Sequence, residues 1–133
     1  LEEVMDDKYG YRMESNKPFD KVVLNIEAQT AANQFRVLAI HDVQRTLAEK
    51  GLTRASLKII EVCNAKFAHD ATAKDINVAL FMPCRFAVFT EGEKTIVNLA
   101  RPSMIAQMLP DSGLEELASS VEVTLKKIMA DSV

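Results

Sequence analysis

The stretch Phe86-Ala87-Val88-Phe89-Thr90-Glu91-Gly92-Glu93-Lys94-Thr95-Ile96-Val97-Asn98-Leu99 holds two runs rich in β-branched and aromatic residues. Glu91-Gly92-Glu93 lies between them, and Gly supplies the positive φ that a tight hairpin turn needs. Two consecutive strands joined this way cannot both belong to a doubly wound parallel sheet, which requires a helix between strands. An α+β fold follows, with a mainly antiparallel sheet backed by helices. Pro83, just before the first run, marks its entry or a sheet edge, because it cannot donate to a ladder.

Upstream, Tyr9 to Ser15 alternates Tyr9, Tyr11 and Met13 with polar residues and reads as a strand with one buried face. Ser15 and Asn16 offer N-cap oxygens to a helix from Pro18 to Asn33, with Asn33 as a left-handed stop. Phe35 to His41 reads as a buried strand, and Asp42 caps a short helix from Val43 to Lys50 ended by Gly51. Leu57 to Cys63 has the β-branched content of a central strand, and Asn64 caps a helix through about Lys74. Ser103 to Leu109 is one or two helical turns. Last comes a long helix, with Ser112 and Glu115 as a capping box. Its apolar stripe is Leu114, Leu117, Ala118, Val121, Leu125, Ile128 and Met129. Residues 1–8 carry four acids against one base and read as a loose end, leaving 9–133 as a single domain.

Composition narrows the class of function. A chain of 133 residues with 48% apolar and 26% charged types is an ordinary globular domain. Its net charge of −3 argues against binding a phosphate backbone, so no nucleic acid is expected. No apolar run reaches the length of a membrane span, and Leu1 to Gly10 is unlike a signal peptide. Two cysteines are too few for a disulfide scaffold. The expectation is a cytoplasmic protein with no membrane partner.

Cys63 and Cys84 sit at the ends of two predicted strands, with His41 at the end of another. Were these strands neighbours, two thiolates and an imidazole would supply three metal ligands, with Met82 or water as a fourth. A redox role is also open, with Lys66, Arg85 and a helix N-terminus lowering the Cys63 pKa. The simplest reading makes both cysteines small buried hydrophobes. His41 could carry protons near neutrality, but a strand-end His beside the capping Asp42 explains it as well. His69-Asp70 reads as a solvated helix face. Asn64-Ala65-Lys66 at a strand-to-helix junction could hold an anion, yet no Gly-rich loop accompanies it, and Asn64 as a plain cap is simpler. Met104, Met108 and Met129 fall at helical core positions. No complete catalytic set is visible, and neither a metal nor any other cofactor is assigned.

Four of these runs carry a resemblance. Met13-Glu14-Ser15-Asn16-Lys17-Pro18-Phe19-Asp20, His41-Asp42-Val43-Gln44-Arg45-Thr46-Leu47, Glu61-Val62-Cys63-Asn64-Ala65-Lys66 and Leu80-Phe81-Met82-Pro83-Cys84-Arg85 resemble the family of unknown function DUF302. The resemblance spans roughly Tyr9 to Met129. It implies an α+β domain with a curved antiparallel sheet, similar in topology to the TATA-binding-protein-like class, and a homodimer. It implies no DNA binding, since shared fold transfers no function. The resemblance further implies that many relatives carry Gly-Asn-Pro-Lys where this chain has Cys63-Asn64-Ala65-Lys66, and an aliphatic residue at the place of Cys84. Thiol chemistry would therefore belong to a branch and not to the whole family. The leading expectation is a non-catalytic dimeric binding module with an apolar cleft for a small ligand or protein partner. Its candidate site is Cys63, Cys84, His41, Asn64 and Lys66. The rival is a thiol protein that handles sulfur, redox equivalents or a metal through Cys63 and Cys84, and a purely structural dimer is a third reading.

Overall fold

Alternating apolar positions build the sheet. In a computed structural model that describes residues 5–6 and 9–133, β1 (Met5–Asp6), β2 (Gly10–Ser15), β3 (Arg36–Asp42), β4 (Leu57–Cys63), β5 (Cys84–Glu91) and β6 (Lys94–Ala100) form one sheet. The strand order is β1-β2-β6-β5-β4-β3, and every neighbouring pair is antiparallel. The β5–β6 hairpin is the one expected, with Glu91 opposite Lys94 and Gly92 at φ 60°. Pleating then sends Phe86 and Val88, Val97 and Leu99, and Ile60 and Val62 to the same face, all buried.

Among the described residues there are five α-helices, three between strands and two after the last: α1 (Phe19–Ala32), α2 (Val43–Ala48), α3 (Ala65–Lys74), α4 (Pro102–Met108) and α5 (Glu115–Ser132). A 3₁₀ segment, Ile76–Phe81, follows α3. Helices α1 and α5 lay Val22, Val23, Ile26, Leu125, Ile128 and Met129 against the buried sheet face. The class is therefore α+β, with helices on an antiparallel sheet.

Local expectations differ from the structure in six places. β3 is an edge strand rather than a buried one: Leu38 is 51% and Ile40 36% exposed, because only β4 lies beside it. Neither Ser15 nor Asn16 caps α1, whose N-cap is Pro18. The Ser15 hydroxyl instead accepts from Lys17 N, and Asn16 Oδ1 accepts from Lys94 Nζ. Asn33 keeps φ −105° while its amide donates to Gln29 O, and the left-handed residue is Gln34 at φ 65°. The capping box at α5 does not form, because the Ser112 hydroxyl is drawn to Asp75, the side chain that caps the 3₁₀ segment. Met108 is exposed while Met129 is buried. Of the end expected to be loose, Met5 and Asp6 pair with Arg12 and Tyr11, and residues 1–4 and 7–8 lie outside the described residues. No helix among the described residues is long and apolar enough to cross a membrane.

Candidate functional site

The site grows from the end of β4 and the start of β5. Val62 stands opposite Cys84, and both border a cleft between the sheet and the helices. Asn64 ends β4 and turns the chain into α3: its Oδ1 accepts from Phe67 N at 3.1 Å, and its Nδ2 donates to Gln34 O at 3.0 Å. That cap aims α3 across the strand ends, so that Phe67, Ala68 and Ala71 form one wall. The ring of Phe67 packs 6.0 Å from that of Phe35. Val78 and Phe81 of the 3₁₀ segment form a second wall. Ile105 and Ala106 of α4 with Leu117 and Ala118 of α5 complete it.

The cleft holds an inner space of about 80 Å³ and opens to solvent at its mouth. Alanines on three different helices face it, and small side chains where helices meet leave the space unfilled. Asn64 is the only lining residue outside Cys with a polar side chain, and both ends of its amide are already engaged. On the outer side of the 3₁₀ segment, Ile76 and Leu80 are 70% and 79% exposed, extending apolar surface beyond the cleft.

Of the residues singled out in the sequence, three border this cleft and two do not. Cys63, Cys84 and Asn64 line it. The pleat separates the two cysteines, however. Cys84 shares the helix-facing side with Val62 and packs on the core, whereas Cys63 is the next residue along and opposes the exposed Arg36. Both are free thiols. Burial and the neighbouring Cys63 push the Cys84 thiol up to about 11, and burial raises Cys63 as well. Near neutrality both stay protonated, the form that is neither a good nucleophile nor a metal ligand.

His41 does not join them. It opposes Ile59, four residues from Cys63 along β4 and so roughly 13 Å away. Its Nε2 meets Glu61 Oε1 at 3.0 Å, on a largely exposed side chain. Lys66 points into solvent and pairs with Asp70 at 3.1 Å. The expected three-residue cluster of His41, Cys63 and Cys84 is thus absent. Among the described residues no three or more His, Cys, Asp or Glu converge as a metal site. His69 sits on the solvated face as expected, 3.0 Å from Asp70.

Sequence reading missed the aromatic and alanine walls and the whole 3₁₀ segment. A local signal for the segment exists: Asp75 accepts from Asn77 N, and Val78 and Phe81 follow at a spacing of three. For the alanines no such signal exists, since an Ala on a helix looks the same beside a void as beside a neighbour.

The family model for the domain of unknown function DUF302 matches residues 11–132. The chain belongs to the DUF302 family. The crystal structure of an uncharacterized conserved protein DUF302 from Bacillus stearothermophilus is similar to it, with a TM-score of 0.90 and 26% identity over 96% of this chain and 100% of that one. No curated protein matches. The DUF302 fold therefore covers nearly all of this chain, and the cleft lies within it.

Proposed function

We propose that this DUF302 protein is a non-catalytic, dimeric binding module of the cytoplasm whose cleft takes a small uncharged apolar ligand. The carrying observation is the lining: an opening into the core bounded by aliphatic and aromatic side chains, with its one amide already satisfied. A charged or hydrogen-bonding ligand would lose its water there without replacement partners, whereas an apolar one would bury surface at little cost. Cys63, Cys84 and Asn64 belong to this site as wall residues, and the two free thiols suit a reducing compartment.

A neutral fluorescent probe, N-phenylnaphthylamine, tests the reading. Saturable binding to the folded protein is expected, with affinity lowered at least about tenfold by Ala118→Phe, which fills the cleft. The surface variant Leu24→Ala should bind as the parent does. Absence of saturable binding, or equal binding by Ala118→Phe, overturns the proposal. The protonated thiols weigh against the rival role in sulfur or redox chemistry, and rapid alkylation of folded Cys63 at pH 7 would reverse that judgement.

A further inference from the structure

The apolar cleft has a polar neighbour. A second groove, more open to solvent, runs along the outer side of the contact between α3 and α5, bordered by Asp70, Lys74, Glu116 and Ser120. Helical periodicity divides the two spaces. Helix α3 turns Ala68 and Ala71 toward the cleft and Asp70 and Lys74 toward the groove, while α5 turns Ala118 and Val121 toward the cleft and Glu116 and Ser120 toward the groove. Among the described residues Leu117 alone borders both. The seam is built from Leu117, Ala118 and Ala71, and among the described residues no side-chain hydrogen bond or ion pair ties α3 to α5. A seam held by apolar contact alone can part without breaking a polar bond.

The charges along the groove are of both signs. Asp70 is engaged by Lys66 at 3.1 Å and by His69 at 3.0 Å. Lys74 and Glu116 oppose each other in charge, and neither forms an ion pair among the described residues. An anionic head placed there gains Lys74 but meets Glu116, and a cationic head meets the reverse, so neither sign is favoured. A hydroxyl can donate to the Glu116 carboxylate and accept from Lys74 Nζ at once. We propose that the ligand of the cleft is a neutral amphiphile, its chain lying in the cleft and its hydroxyl head in the α3–α5 groove, with Leu117 at the junction. This rests on the apolar-ligand reading of the cleft and adds the chemistry of the ligand's other end. The chain buries apolar surface while the head keeps hydrogen-bond partners, so neither end is desolvated without replacement.

Displacement of N-phenylnaphthylamine from the full chain by 1-octanol, octanoate and octylamine at pH 7 tests the placement. The parent should bind octanol more tightly than either ionised ligand. Each ligand is then compared between parent and variant, so that its own solubility cancels. Glu116→Lys should tighten octanoate at least about fivefold, and Lys74→Glu should tighten octylamine by a similar factor. Both should weaken octanol. Affinity for the probe itself, which has no hydroxyl head, should stay within about twofold of the parent. Unchanged affinities for all three ligands in both variants overturn the head-group site and leave the apolar cleft standing. A parent that binds octanoate or octylamine as tightly as octanol overturns the neutral head. A change in probe affinity as large as the change in the charged ligands overturns the division into chain and head. Absence of saturable probe binding overturns the reading of the cleft, and this inference with it. Lys74 and Glu116 are both exposed, and if one variant fails to fold the other decides.

Discussion

Helix α5 crosses two kinds of interior. Its C-terminal half carries Leu125, Ile128 and Met129 into a core with no exposed area, closed by Ile26 of α1 and by the sheet. Its N-terminal half carries Leu114, Leu117, Ala118 and Val121 along the cleft, against the smaller cluster of Val78 and Ala106. The same amphipathic stripe serves both. What differs is the opposing surface: a long helix and wide strands on one side, a 3₁₀ segment and the short, alanine-containing helices α3 and α4 on the other. A continuous apolar stripe therefore does not imply continuous packing. The gap arises where short elements cannot bring large side chains to every position.

The largest test of this contrast is Leu125→Ala, expected to cost about 2–5 kcal/mol by urea unfolding because the cavity it leaves is closed on all sides. A cost under about 1 kcal/mol would mean the closed half is not closed. Next comes alkaline pH. Cys84 has its folded pKa raised from 9.0 to about 11, so the unfolded thiol releases its proton first. Its contribution is intact below pH 9 and lost as pH climbs through 11, a difference of about 3 kcal/mol once complete. Comparing the stability of the parent and Cys84→Ala at pH 8 and pH 10 captures about half of that loss, and parallel pH curves would place the thiol in contact with water. Asn64→Ala removes the cap of α3 and its tie to Gln34, and a loss of about 1 kcal/mol in thermal or urea unfolding is expected, with weaker probe binding as the cleft wall shifts. Smallest is Leu117→Ala, under about 1 kcal/mol, because Leu117 already borders open space and a truncation there only widens the cleft. Equal costs for Leu117→Ala and Leu125→Ala would erase the distinction between the halves.

Much of the fold was legible. The β5–β6 hairpin, the β4 strand and the caps Asp42 and Asn64 rest on residues adjacent in sequence, and each stands where the pattern put it. Failures came where a distant group competed. Ser112 is a good cap until Asp75 is beside it. The apolar content of β3 looks like burial until the strand order leaves it at the edge. Cys63 and Cys84 did reach a common cleft, but pleating and register set them on different faces. His41 belongs to the same sheet yet lies several residues away along it.

Periodicity, turn glycines and capping side chains act within a few residues, so the chain alone dictated the kinds of element, their order and the α+β class. Strand neighbours, the edge role of β3 and the opening among α3, α4 and α5 depend on contacts between segments far apart in sequence. Those contacts exist only once the whole core has packed, and they alone turned scattered alanines and phenylalanines into a binding cleft.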